Sequence, residues 1–149
     1  MGRRQDMTQE LTVNAWGAAP PHPGVCPDWT AAAGQVIEAG KRASQRGWVP
    51  ATSGNFSVRA SFGQVAITRS SVDKGALGPA DILNQAINAA LLPGSSAEAA
   101  LHLSLYAAHA DIGAVFHVHN LAACVMGRVH AAQGAIVLEG WELQKPCRA

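Results

Sequence analysis

Two histidines two residues apart, His117 and His119, sit in the apolar run AVFHVHN at 114–120. In an extended strand, residues i and i+2 point to one side, with Cα atoms roughly 6.5–7 Å apart. Two imidazoles at that spacing can converge on one ion. Zinc takes imidazole nitrogen at about 2.0–2.1 Å, and a catalytic zinc uses three protein ligands with one position left open. The same spacing also suits two histidines on a polar sheet face, and the pair alone does not choose. Three other stretches hold groups that could do chemistry. TSGNFSV at 52–58 offers backbone amides and short hydroxyls in a turn, the form of an anion-binding nest. GSSAE at 94–98 puts Ser95, Ser96 and Glu98 where a helix begins, which suits either an anion or simple capping. LEGWELQK at 138–145 brings Glu139 and Glu142 to the end of a strand, as general-base candidates or as solvated carboxylates. His102 follows Glu98 by four residues, so the two share a helix face, either as a metal pair or with His102 as a structural histidine. Tyr106, His109 and His130 read as surface or helix-end residues.

Positioning these groups needs an alternation of helix and strand. Asp28 is a helix N-cap. Trp29, Ala32, Ala33, Val36, Ile37 and Gly40 then recur as one buried stripe, with Gly47 as the C-terminal stop. Residues 56–59 alternate as a strand and pair, by hairpin, with a second strand at 63–68. A glycine-rich loop spans 69–81. From Ile82 the composition reads as helix, weakened by Asn84 and Asn88. A helix over 95–111 is capped by Ser96 and buries Leu101, Leu105 and Ala108. A strand at 112–119 carries the histidines, Asn120 caps a helix over 121–129, and a last strand runs through 134–140 before WELQK.

The 149 residues are 48% hydrophobic and 14% charged, with a net charge of +1. That is a globular composition with enough chain for one core. No basic patch points to nucleic acid, and no apolar run reaches the roughly 18 residues of a membrane span. Residues 1–27, rich in proline and glycine near their end, read as a flexible arm, and 28–149 as one domain. Cys26, Cys124 and Cys147 are widely spaced, with no CxxC, and point to a reducing compartment. MGRRQDMTQE lacks the apolar core of a signal peptide. A cytoplasmic protein is expected.

The order and spacing of GWVPATSGNFSVR, ITRSSVDKG, SAEAALH, VFHVHN and LEGWELQK resemble the class II aldolase/adducin family from about residue 30 to 145. GWVPATSGN, VDKG and EGWELQK resemble its dehydratase branch more than its sugar-phosphate aldolases. The resemblance implies an α/β fold of three layers, with a central, mostly antiparallel sheet covered by helices, in a homotetramer. It implies one Zn2+ per subunit on His117 and His119, and phosphate binding by Gly54, Asn55, Ser70 and Ser96. It implies Glu98 beside the metal and Glu142 as general acid/base. Near Ile82 it implies a strand, in preference to the helix of the local composition. The implied reaction is dehydration of a ketose phosphate, 5-methylthioribulose 1-phosphate, to 2,3-diketo-5-methylthiopentyl 1-phosphate in methionine salvage. Three departures stand out. The family's third zinc histidine lies in a downstream Gly-His-Gly strand, whereas His130 is the only histidine after His119, and Pro146 interrupts the helix expected after Glu142. The domain is therefore expected to be incomplete at its C-terminus. The alternatives are an inactive truncated fragment of such an enzyme, or a class II sugar-phosphate aldolase. Ser71 also stands where the family often has glycine.

Overall fold

The computed structural model describes residues 26–136. Glu139, Glu142, Cys147, nearly all of the N-terminal arm and most of the strand expected at 134–140 lie outside the described residues. At the near end of that strand, Gly134 closes a short helical turn in a left-handed conformation.

The first helix, α1 (Trp29–Gln45), starts where its cap requires. The Asp28 carboxylate accepts from the Ala31 amide at 2.8 Å. At the other end, the Gly47 amide donates to the Ser44 carbonyl and the Trp48 amide to the Ala43 carbonyl, the paired bonds of a Schellman stop. Ala32, Ala33, Val36, Gly40 and Ala43 form its buried side. Four strands follow: β1 (Asn55–Arg59), β2 (Gln64–Thr68), β3 (Ile82–Ala86) and β4 (Ala114–His117). They form one sheet in the order β3-β2-β1-β4, with every neighbouring pair antiparallel. Residues 82–86 are strand, as the family resemblance implied and against the local composition. Their register on β2, Thr68 opposite Ile82 through Gln64 opposite Ala86, supplies the backbone partners a helix would otherwise provide.

The two sheet faces carry different helices. Phe56 and Val58 of β1, Ala66 of β2 and Ile82 of β3 pack with α1 in one core. Val65 and Ile67 of β2 pack on the opposite face with Ala99, Leu103 and Tyr106 of the second helix, α2 (Ala99–Ala108). Helix, sheet and helix thus make the three layers. A third helix, α3 (Leu121–Val129), follows β4. The Asn120 side chain accepts from the Ala123 amide at its start, and all of its residues are exposed.

Two features of α2 correct the sequence expectation. The helix starts at Ala99, not at Ser96, and Glu98 in its capping position makes no side-chain capping bond. The buried side is Ala99, His102, Leu103 and Tyr106, whereas Leu101 is 60% exposed. Apolar residues surround this helix almost evenly, so hydrophobicity alone did not choose a side. The choice is made by hydrogen bonding, because Ser57 on β1 gives His102 and Tyr106 their polar partner. Tyr106, expected at the surface, is 2% exposed.

Candidate active site

The end of the sheet where β1 begins and β4 finishes gathers most of the candidate residues. Asn55 pairs in register with His117 across the β1–β4 ladder. The turn that introduces Asn55 is held tightly. Gly54 has φ of 81°, and a methyl group at its Cα would lie 2.7 Å from Val49 Cγ1 and 2.9 Å from the His117 carbonyl oxygen. Only glycine meets both the conformation and the space, so the backbone of the turn lies directly against the strand that carries the first histidine.

The rings of His117 and His119 lie on one side of the chain, their centroids 4.8 Å apart with planes inclined at 36°. His119 lies beyond the last residue of β4, and its amide donates to the Trp48 carbonyl at 2.8 Å. That bond continues the extended path and keeps the second ring beside the first. Glu98, at the start of α2, is close enough for both imidazoles to act on it. Its carboxyl is held below the usual range by its own backbone amide, then by the Ser96 hydroxyl, with smaller contributions from the charges of His117 and His119. Two imidazoles and an ionised carboxylate are a donor set that suits zinc. Among the described residues no group of three or more His, Cys, Asp or Glu is close enough to hold a metal ion. The described residues thus bring two imidazoles together without a third ligand beside them.

Asn55 is fully buried. Its amide nitrogen donates to the Ser96 hydroxyl, and its carbonyl oxygen accepts from Thr68 Oγ1 at 2.7 Å. Thr68 Oγ1 accepts in turn from the Phe56 amide at 3.2 Å. One side chain thereby joins the turn, β2 and the approach to α2. Ser70 lies on an exposed loop, and its amide donates to the Gly94 carbonyl. The structure thus groups Gly54, Asn55, Ser96, Glu98, His117 and His119, with Ser70 on the neighbouring loop. Ser71 has φ of 60°, a left-handed conformation that suits glycine better.

Behind this cluster His102 is a buried structural histidine, one of the two readings of its sequence position, and its partner Ser57 was not singled out from sequence. Ser57 Oγ lies 2.7 Å from His102 Nδ1 and 2.9 Å from the Tyr106 hydroxyl. Burial drives the His102 pKa down to about 4 and pushes the Tyr106 pKa up to about 12. Both groups are therefore neutral at ordinary pH, which lets Tyr106 donate to Ser57 and Ser57 to His102 in one consistent order. The hydroxyls of Ser53 and Ser95 are buried without a hydrogen-bond partner among the described residues. Lys74 is 1% exposed, with its ammonium bonded to the carbonyls of Thr52 and Val72. A lysine in a glycine-rich loop ordinarily reads as solvated, so its type and position gave no signal of burial.

The sequence profile of the Class II Aldolase and Adducin N-terminal domain matches residues 34–145. The chain belongs to that family. It is 57% identical over 110 residues to the methylthioribulose-1-phosphate dehydratase of Bradyrhizobium sp., covering 74% of this chain and 51% of the relative. It is 48% identical over 118 residues to the enzyme of that name from Parvibaculum lavamentivorans, covering 79% and 58%. Among solved structures, L-fuculose-1-phosphate aldolase from Thermus thermophilus superposes with a TM-score of 0.59 at 30% identity, covering 64% of this chain and 49% of the aldolase. The chain spans about half the length of the curated relatives it matches. Within the described residues no helix is long and apolar enough to cross a membrane.

Proposed function

We propose that this chain carries part of the machinery of a zinc-dependent lyase that dehydrates 5-methylthioribulose 1-phosphate to 2,3-diketo-5-methylthiopentyl 1-phosphate. The reading rests above all on the meeting of Asn55 and His117 across the β1–β4 ladder, which brings the Gly54-Asn55 turn and the histidine pair to one end of the sheet. The names carried by its relatives support the same reading. His117 and His119 would hold the metal, with a third ligand from beyond the described residues. Zinc bound there supplies Lewis-acid polarisation of the substrate's C2 carbonyl and adjacent hydroxyl.

The chain's own residues account for binding and proton movement. The Gly54-Asn55 turn, Ser70 and Ser96 would hold the phosphate, fixing the carbon chain relative to the histidines. Glu142, outside the described residues, would take the C3 proton, and water would then leave from C4. Glu98, kept ionised beside the two imidazoles, supplies negative charge next to the metal position. The working form in this reading is a cytoplasmic homotetramer in methionine salvage.

The test is zinc content and turnover of the purified protein. About one zinc per chain and conversion of 5-methylthioribulose 1-phosphate, both lost in His117→Ala, are the expected results. Sub-stoichiometric zinc with no turnover defeats the reading for this chain and leaves the inactive fragment. Cleavage into two carbon fragments, in place of a dehydrated product retaining every carbon, would favour the sugar-phosphate aldolase reading suggested by the 30% identical Thermus structure.

A further inference from the structure

Lys74 has the most unusual environment of any charged residue described here. It is 1% exposed, and no carboxylate among the described residues lies within ion-pair distance of it. Its Nζ donates to the Thr52 carbonyl at 2.9 Å and to the Val72 carbonyl at 2.7 Å. An ammonium has three N–H donors, so one remains without a partner among these residues. The loop cannot easily back away to hydrate the charge. A methyl group at Gly40 on α1 would lie 2.5 Å from the Lys74 carbonyl oxygen, so this backbone is seated directly on the helix.

A buried cation satisfied only by two neutral carbonyls is costly unless something anionic completes its shell. Burial accordingly lowers the pKa of this amine from the ordinary lysine value, while Asp73 and Glu98 act at longer range in the other sense. The two carbonyls belong to the two segments that carry Gly54-Asn55 and Ser70. Thr52 is followed by Ser53, whose buried hydroxyl also lacks a partner. An unfilled N–H and an under-compensated positive charge therefore sit against the Thr52 carbonyl, and the next residue of that turn carries an unfilled buried hydroxyl. Each would be satisfied by the oxygens of a tetrahedral dianion.

We propose that Lys74 is the buried cation of the phosphate site, tying the 52–55 turn to the 70–75 loop and giving its remaining N–H and its charge to a phosphate bound between them. The proposal deepens the phosphate-binding part of the function proposed above and rests on it. Its test is titration of the full chain with inorganic phosphate at constant ionic strength, followed by calorimetry, for the wild type and for Lys74→Met. The methionine variant keeps the apolar stem and removes the donors and the charge. It is expected to lose phosphate affinity at least tenfold while keeping the wild-type circular dichroism and zinc affinity. Equal phosphate affinity in the two proteins would overturn the role of Lys74 and leave the phosphate turn standing. A wild type that does not bind phosphate would overturn the phosphate turn and the role of Lys74 together. Should Lys74→Met fail to fold, nitrogen-15 spectra of the lysine ammonium groups in the wild type decide. Phosphate should shift the Lys74 signal saturably and leave those of Lys41 and Lys145 in place. A Lys74 signal unmoved at phosphate saturation would overturn the proposal.

Discussion

The two faces of the sheet are built by opposite rules. The α1 face is dry and apolar, with Phe56, Val58, Ala66 and Ile82 meeting Ala32, Ala33 and Val36. The α2 face buries Ser57 and His102 beside Val65, Ile67 and Tyr106, and Asn55 lies at its end. β1 contributes to both through simple alternation, Phe56 and Val58 to one side and Ser57 to the other. The lesson is a division of labour along one strand. One side supplies hydrophobic stability, while the other keeps polar groups in fixed positions, each requiring a partner because it is buried.

That contrast can be broken by experiment. Phe56→Ala opens a cavity in the dry face and should cost about 3–5 kcal/mol, read by urea denaturation, with zinc affinity of the surviving folded protein unchanged. A loss of zinc affinity there would mean that the faces are not separable. Ser57→Ala leaves His102 and Tyr106 without their shared partner and should cost about 1–3 kcal/mol. It should also alter the near-ultraviolet signal of Tyr106, the only tyrosine in the chain.

A third prediction concerns pH. His102 stays neutral in the fold down to about pH 4, against 6.5 for an ordinary histidine. Between those values the unfolded chain binds the additional proton. The stability associated with neutral His102 is therefore complete above pH 6.5 and declines as pH falls toward 4, by at most about 1.4 kcal/mol per pH unit for one proton. Denaturation of metal-free protein at pH 7, 6 and 5 measures the slope, and His102→Gln should reduce it. The smallest effect is expected for Ile67→Val, in the apolar part of the α2 face. A cost of about 0.5–1.5 kcal/mol, with zinc affinity unchanged, would show that this face has a dry portion as well.

The dry face was the more legible in sequence. Asp28, the stripe of α1 and the Schellman stop at Gly47 are local signals, and the hairpin of β1 and β2 follows from alternation. The polar face depends on contacts distant in the chain. Ser57 meets His102 from 45 positions away, which no local periodicity records, and the wrong side of α2 was expected to be buried as a result. Lys74 was missed for a related reason, since both of its partners are backbone carbonyls and carry no side-chain signature. The histidine pair was legible because a two-residue repeat is itself a strand property. The strand at Ile82 came only from the family pattern, because its stabilising partner is β2.

The missing side chain of Gly54 has a consequence for selectivity. The turn touches the His117 carbonyl through bare backbone, so the separation between the proposed phosphate position and the histidines is a fixed ruler. The backbone part of that span has no side chain of its own to take up slack. Under the proposed function, such a ruler would discriminate between substrates by the number of carbons between phosphate and carbonyl.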